Sequence, residues 1–218
     1  MILIYINNET IILDNLIKSV DVQPKIDVGK YDISLAYSTF KELPDLFDFS
    51  NTTKMDNMFD NCGSLQTIPP IDTSNVTSMF RTFYYCSSLL TLPELDTRKV
   101  ENMQYMLYEL GAGELKSLPK IYCDKCGNMG FYFCSSSYER INLTDVGGWI
   151  NLSCNWNDNR GLSRCPNLTY QSCINILNGL ADVTELGNRT LQVHQNFLDL
   201  VGNEISIGTD KGWIISAS

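Results

Sequence analysis

Cys123 and Cys126 have the residue type and the spacing for metal binding or thiol redox chemistry. A Cys-x-x-Cys pair is half of a tetrahedral zinc site or the whole of a thioredoxin-like redox motif. A zinc site needs two further ligands, and the chain offers Cys134 and Cys154 but no second pair at this spacing. His194 lies far along the chain. We therefore predict that the two thiols are packed in the interior, and we expect no metal and no cofactor.

Carboxylates and the single histidine are the other candidates for chemistry. Asp48, Asp72 and Asp96 recur at intervals of 24 residues, which favours a structural role in a turn or cap, with a repeated calcium ladder as the alternative. His194 has no nucleophile motif around it, and we predict a surface or cap residue. Gly147 and Gly148 lack the context of a phosphate-binding loop. Because no catalytic constellation emerges, we predict that the protein is not an enzyme.

The composition limits the class of protein. The chain has 218 residues, of which 44% are hydrophobic and 19% charged, and this predicts a folded core rather than disorder. Its net charge of −9 argues against a nucleic-acid partner, because phosphates repel an acidic surface. No run approaches the roughly 20 apolar residues of a membrane span. Met1–Ile6 lacks the flanks of a signal peptide, which predicts synthesis in a reducing cytoplasm with free thiols.

A repeat of about 24 residues organises the chain. Its anchor positions are separated by intervals of 25, 24, 24 and 24 residues. The anchors are Tyr37, Cys62, Cys86, Leu110 and Cys134. Each begins a stretch such as Cys62–Pro69 or Cys86–Pro93, which reads as a short strand that ends at its proline. Cys123 and Cys126 lie 26 residues after Thr97 and Val100, and we predict that they occupy the equivalent positions of the next repeat.

The second half of each unit carries an apolar pattern. Val76, Met79, Phe83 and Cys86 fall at offsets 0, 3, 7 and 10, which predicts a one-faced helix of about three turns. Thr73 or Ser74 is then a candidate N-cap. The chain around Leu168–Leu180 has a similar helical stripe, and Thr190–Val193 and Lys211–Ile215 read as strands.

One strand and one short helix per unit predict an α/β leucine-rich-repeat solenoid. The parallel sheet would lie on the concave side and the helices on the convex side, because only stacked units can bury their apolar faces. We divide the chain into an N-terminal segment at 1–30, the repeats at 31–145, and degenerate terminal repeats with a C-terminal cap at 146–218. Met1–Ile6 and Thr10–Leu13 predict a hairpin, which would either cap the solenoid or pair with a partner's edge strand.

The repeat resembles a known family. The pattern C-x-x-L-x-x-[LI]-P-x-[LI]-D-T-S-x-V-x-x-M-x-x-[MF]-F, best seen over Cys62–Met103, resembles the BspA-type leucine-rich repeats. The resemblance covers about half of the chain. It implies a repeat fold, and it implies membership of a group that includes bacterial surface or secreted binding proteins and proteins of phages that infect gut bacteria.

The sequence predicts two surfaces for contact with a partner. Four side chains flanking the inward residues of the strands are expected to form a shallow polar row on the concave face, and we predict them as binding residues. They are Thr67, Thr91, Ser117 and Arg140, with Glu42 at an earlier strand. On the helical side several tyrosines should be exposed, and tyrosine is enriched at protein interfaces. They are Tyr84, Tyr85, Tyr105, Tyr108 and Tyr132.

The resemblance, together with an N-terminus that does not read as a signal peptide, favours two functions. The first is a non-enzymatic component of a bacteriophage virion, a fibre, decoration or tail protein assembled in the host cytoplasm. The second is an adhesin module on a bacterial surface that binds a host protein or glycan. The partners would be virion subunits, a host receptor or a second copy of the chain. Intracellular scaffolding is a further alternative.

Overall fold

The N-terminal hairpin is present as the sequence predicts. In a computed structural model of the chain, β1 (Leu3–Ile6) pairs antiparallel with β2 (Glu9–Ile12), with Leu3 opposite Ile12. The structure describes residues 3–6, 9–12, 25–31, 33–110, 115–127, 142–153, 162–187 and 189–217. Whether the hairpin caps the repeats or pairs with a partner stays a prediction.

Short parallel strands join consecutive repeats. Six strands of two residues form three pairs between residues 26 and 150 of the described chain. They are β3 (Ile26–Asp27), β4 (Phe47–Asp48), β5 (Ser117–Leu118), β6 (Ile121–Tyr122), β7 (Asp145–Val146) and β8 (Trp149–Ile150). The pairs β3–β4, β5–β7 and β6–β8 are all parallel. A one-turn helix, α1 (Val28–Tyr31), follows β3. Parallel pairing at this spacing places equivalent positions of successive repeats side by side.

A ladder of single bridges continues this pairing through the middle repeats. Ser78 bridges Lys54 on one side and Asn102 on the other, both in parallel. Glu42 and Thr67 form a similar parallel bridge, which lies earlier in the chain than the Lys54–Ser78 bridge. Each repeat therefore offers its backbone groups to the next repeat at fixed positions.

In the described repeat segments 55–62, 79–86 and 103–110 the predicted helix is absent, and consecutive turns replace it. Thr82 and Tyr84 donate backbone N–H bonds to the carbonyls of Met79 and Arg81, three residues back. The intervening N–H of Phe83 donates to Met106 O at 2.9 Å, in the next repeat. An α-helix needs every N–H to point at the carbonyl four residues back. More of the backbone N–H groups here donate to neighbouring repeats than within their own repeat, so the helix prediction is wrong over Val76–Cys86.

Positive backbone φ angles explain why these turns cannot become a helix. The third residue of each turn has a φ between 54° and 58° in the two turns of each middle repeat, which is the left-handed region. These residues are Asn57, Asn61, Arg81, Tyr85, Tyr105 and Glu109. A positive φ at the third position is the mark of a type II turn. We call the stacked turns of residues 55–62, 79–86 and 103–110 the turn ladder.

The apolar stripe itself is buried as predicted. Val76, Met79, Phe83 and Cys86 are all inaccessible to solvent. They belong to one core that runs through the stacked repeats to the C-terminal elements. Within it the Phe59 and Phe83 rings of adjacent repeats stack with centroids 5.4 Å apart and an interplanar angle of 5°. Offsets of three and four residues match both a helix face and a pair of turns, so the pattern identifies the buried side in either case.

The C-terminal part is helical where the sequence predicts it. Here α2 (Tyr170–Gly179) begins after Thr169, whose hydroxyl accepts the Ser172 N–H. Strands β9 (Arg189–Val193) and β10 (Trp213–Ala217) pair in parallel. Between them lie two short α-helices and a 3₁₀ turn, and two further 3₁₀ turns precede β9. They are α3 (Gln195–Val201), α4 (Ser206–Thr209), and the 3₁₀ turns Leu162–Arg164, Thr184–Leu186 and Gly202–Ile205. In the described part of the chain, no helix has the length and apolar character needed to cross a bilayer.

Candidate functional site

The Cys-x-x-Cys pair occupies a recurring structural turn. Cys126 N donates to Cys123 O at 3.1 Å, and Val76 and Val100 make the same bond to Thr73 and Thr97. Cys123 and Cys126 are both buried. Burial raises the pKa of the Cys123 thiol. The predicted packing of these thiols is confirmed, because each replaces a buried side chain of the repeat.

Other thiols are buried in the same manner. Cys62 and Cys86 donate their S–H groups to the carbonyls of Leu35 and Phe59, each at 3.1 Å. Burial raises the pKa of Cys62 to about 12 and that of Cys173 to about 11. Among the described residues, His, Cys, Asp and Glu form no group of three that could hold a metal ion. Cys134 and Cys154 lie outside the residues that the structure describes.

Thiol labelling checks this assignment. At pH 8 in native conditions we expect iodoacetamide to label Cys62 about 1,000-fold more slowly than an exposed thiol, because a pKa raised from 9.0 to about 12 leaves about 1,000-fold less thiolate. Peptide mapping by mass spectrometry measures this, and a Ser64→Cys variant supplies an exposed reference. Fast native labelling of Cys123 and Cys126, or one equivalent of zinc that is lost in Cys126→Ser, would contradict the packing.

The recurring carboxylates serve turns. Asp48 accepts the backbone N–H of Ser50 and Asp72 that of Ser74, both at 2.9 Å. The hydrogen bond from the Ser50 backbone lowers the pKa of Asp48, and hydrogen bonds from the Ser74 side chain and backbone lower that of Asp72. Asp96 makes the equivalent bond two residues on. The predicted structural role is confirmed, since the carboxylates satisfy backbone donors at the start of each turn.

His194 is a helix cap. Its Nδ1 accepts the Asn196 N–H at 3.1 Å at the start of α3. This bond satisfies one of the backbone donors that the first turn of a helix leaves open. The predicted cap role is confirmed.

The structure describes three of the four residues of the predicted polar row. Thr67 is half-buried and bridges Glu42, whereas Thr91 and Ser117 are exposed. Arg140 lies outside the described residues. The three described members contribute small hydroxyl groups, which supply little of the buried area that carries affinity in protein interfaces. The row stays a prediction.

A cluster of rings on the turn ladder is the most distinctive surface. It is made by Phe80, Arg81, Tyr84 and Tyr85 of one repeat and by Tyr105 and Tyr108 of the next, and we call these six residues the tyrosine shelf. The Tyr84 and Tyr108 rings stack with centroids 4.8 Å apart. Tyr85 meets the Tyr84 ring edge-on at 4.7 Å. Phe80 and Tyr105 form a second pair, at 6.1 Å and 84°. Tyr85 is 39% exposed and the other five are half-buried.

A guanidinium joins the rings to a buried carboxylate. Arg81 lies over the Tyr84 ring with its Cζ 3.9 Å from the centroid, and its Nη2 is 3.2 Å from Asp60 Oδ2. Burial raises the pKa of Asp60 against the opposing effect of Arg81. Burial also raises the pKa of Tyr108 to about 12. The shelf therefore presents phenol side chains and an arginine whose charge is balanced by Asp60.

The shelf residues are unfavourable choices for their backbone. Asn57 and Asn61 occupy the positive-φ positions of the preceding repeat, and asparagine tolerates that conformation well. The same positions on the shelf hold Arg81, Tyr85 and Tyr105, with φ between 54° and 58°. Such residues are strained there by about 1 kcal/mol each or more. Because asparagine would be less strained at these positions, as it is in the preceding repeat, the shelf is a candidate functional site.

Sequence reasoning identified these tyrosines as exposed interface candidates on one side. It missed Phe80 and Arg81, and it missed the cleft that the rings enclose. One signal was available in the repeats: positions that hold Asp56, Asn57, Asp60 and Asn61 in one copy become mostly aromatic in the next two. Tyr132, at the equivalent position one repeat later, lies outside the described residues.

The comparisons with known proteins give one match. A family model described as "Mycoplasma protein of unknown function, DUF285" matches residues 32–143, just over half of the chain. No curated protein and no solved structure matches. The matched residues include the whole turn ladder and the tyrosine shelf.

Proposed function

Since this chain belongs to the DUF285 family, whose function is unknown, we propose that it is a non-enzymatic binding protein built as a BspA-type leucine-rich-repeat solenoid. The parallel bridges from Lys54 through Ser78 to Asn102 support the stacked repeat. The continuous core from repeat to repeat supports it too, since a single unit could not bury its apolar face. In this proposal turns take the place of the convex helices.

The observation that carries the binding role is the tyrosine shelf. Two repeats accept strained backbone positions at Arg81, Tyr85 and Tyr105 where asparagine would serve the fold better. Tyrosine and arginine are the residue types that dominate the energy of protein interfaces. We propose that the shelf contacts another protein, and that the polar row of Thr67, Thr91 and Ser117 is a weaker second contact face.

The proposed setting is a bacteriophage virion, in which the chain is a fibre, decoration or tail component that contacts virion subunits or a host receptor. The repeat resemblance supports this setting, and so do the buried free thiols, which suit assembly in a reducing cytoplasm. One observation favours the alternative of a bacterial surface adhesin, because the matching family is described from Mycoplasma, a cellular organism.

Mass spectrometry of purified phage particles tests the setting. We expect the chain at a fixed stoichiometry with the major structural proteins of a phage that encodes it. If the particles lack the chain and surface proteolysis of intact bacterial cells releases it, the virion proposal is wrong and the adhesin proposal replaces it.

Site-specific photo-crosslinking tests the contact surface. With p-benzoylphenylalanine at Tyr85, which is 39% exposed, we expect one dominant crosslinked partner in assembled particles or on cells. The matched control carries the same group at Tyr170, which is 45% exposed on α2. Equal crosslinking from both positions, or none from Tyr85, would remove the shelf from the proposed function. Crosslinking from Thr91 alone would transfer the role to the polar row.

A further inference from the structure

The tyrosine shelf encloses a cleft of a size that suits a short ligand segment. Its volume is about 390 Å³, and among the described residues its lining is Phe80, Arg81, Tyr84, Tyr105 and Tyr108. Pockets that hold small ligands or short side-chain runs fall in the range of about 300–1,000 Å³. The cleft crosses two repeats, because Phe80 faces Tyr105 and Tyr84 stacks on Tyr108.

The side chains that line the cleft are aromatic rings and hydrogen-bond donors, with few acceptors. Its described side chains are four aromatic rings and one guanidinium, with no carboxylate and no amide oxygen. The Nε of Arg81 is buried without a hydrogen-bond partner. Guanidinium offers donors only, and a phenol offers a donor as well as an acceptor. The cleft therefore suits an apolar ligand that carries hydrogen-bond acceptors and few donors.

The charge of the cleft further limits the class of ligand that it can bind. Arg81 is paired with Asp60 at 3.2 Å, and the Asp60 side chain is only 8% exposed. The guanidinium already covers one face of the Tyr84 ring, where a cationic ligand would otherwise bind. The ligand that fits is consequently neutral. A sugar fits less well, because the described lining offers its many hydroxyl donors only phenol oxygens as side-chain acceptors.

Proline-rich chain is the peptide ligand with these properties. Proline has a carbonyl acceptor and no backbone N–H, and its ring is apolar. A polyproline II helix makes no internal hydrogen bonds, so its carbonyls are open to outside donors. Aromatic-lined grooves are a recurrent way of recognising such segments.

We propose that the cleft between the Phe80–Tyr105 and Tyr84–Tyr108 ring pairs binds a polyproline II segment of the partner protein. This inference rests on the proposed binding function and names the feature that the shelf recognises. Proline rings would pack against the tyrosine and phenylalanine rings. Arg81 and the Tyr84 phenol would donate to carbonyls of the segment.

Fluorescence anisotropy with a labelled ten-proline peptide tests the inference on the full chain. We expect saturable binding with a Kd of about 10–100 μM, which is typical for a small exposed groove. We expect Tyr84→Ala and Tyr108→Ala to weaken it at least tenfold, and Tyr170→Ala to leave it unchanged. A ten-residue glycine–serine peptide should not bind. Absence of saturable proline-peptide binding, or binding that Tyr84→Ala leaves intact, would overturn the inference.

Tyr105→Asn separates binding from folding. Asparagine suits the positive φ of 58° at this position, so the variant should keep the wild-type melting temperature within a few degrees. It should nevertheless weaken binding of the proline peptide at least tenfold, because the Tyr105 ring forms part of the cleft wall. If the variant binds as the wild type does, the cleft is not the proline site.

The two proposals fail separately. If the proline peptide does not bind while Tyr85 still crosslinks a partner, the shelf is an interface of another kind and only the polyproline inference falls. Lactose is included as a glycan probe, and saturable lactose binding that Tyr108→Ala abolishes would replace the peptide with a sugar. If neither Tyr85 crosslinks nor the peptide binds, the shelf has no role in binding.

Discussion

Replacing Gly179 with alanine should lower the free energy of unfolding by about 3 kcal/mol, at the upper end of the usual range for overpacking. A Cβ built on Gly179 would lie 1.6 Å from the carbonyl oxygen of Trp149. The clash involves backbone on both sides, since Gly179 O also accepts the Leu152 N–H at 3.1 Å. No change of side-chain rotamer can relieve it. The last residue of α2 must therefore separate from the preceding repeat.

Urea unfolding followed by tryptophan fluorescence measures this effect, because Trp149 and Trp213 are both buried in this part of the protein. Gly63→Ala is the matched control. A Cβ on Gly63 meets only the Ser87 hydroxyl, at an ordinary 3.7 Å. If Gly179→Ala and Gly63→Ala have the same urea midpoint of unfolding, the close packing of α2 on the repeats is contradicted.

The same substitution should have opposite effects at Thr73 and Thr52. Thr73 is buried, and its hydroxyl accepts the Asp96 N–H at 2.7 Å and donates to the Asp96 carbonyl at 3.1 Å. Thr73→Val keeps the side-chain shape and removes both bonds between the two repeats. We expect a loss of about 2 kcal/mol, because two backbone groups lose their partner.

Thr52 is also buried, but its hydroxyl has no hydrogen-bond partner. The equivalent positions of the next two repeats hold Val76 and Val100. Thr52→Val should therefore stabilise the protein by about 1 kcal/mol, since an unsatisfied buried hydroxyl is removed. Thermal unfolding of both variants measures the pair, with Thr73→Ser as the control that retains the hydroxyl. Equal shifts in the same direction would mean that neither hydroxyl has the assigned role.

The repeat pattern predicted the buried side of the chain correctly and its backbone incorrectly. Val76, Met79, Phe83 and Cys86 are buried, as a one-sided stripe requires. The helix fails because the donors of Phe83 and Tyr85 bond to Met106 and Tyr108 rather than within their own repeat. A helix pattern read from one repeat contains no information about partners in another. Stacking decides this, since it offers each N–H a carbonyl at the correct distance.

The shelf illustrates the same limit for function. The tyrosines were visible in the sequence as interface candidates, but Arg81 was not, because its contribution depends on Asp60 of the preceding repeat. The predicted polar row, in contrast, was derived from strand direction alone. Its described members are small hydroxyls spread over successive repeats. Recognition needs side chains that converge, and convergence across repeats is a tertiary property.

The amino-acid sequence by itself determined the repeat period, the burial of the anchors Cys62, Cys86 and Leu110, the structural place of Cys123 and Cys126, and the C-terminal helix and strands. The anchor Tyr37, in contrast, is exposed. These features follow from local spacing and from which side chains must leave water. Only the tertiary structure decided that the second half of each repeat is a turn ladder, and that rings of two repeats enclose a cleft with Arg81. Both depend on hydrogen bonds and contacts between residues one repeat apart, and these form only when the repeats stack.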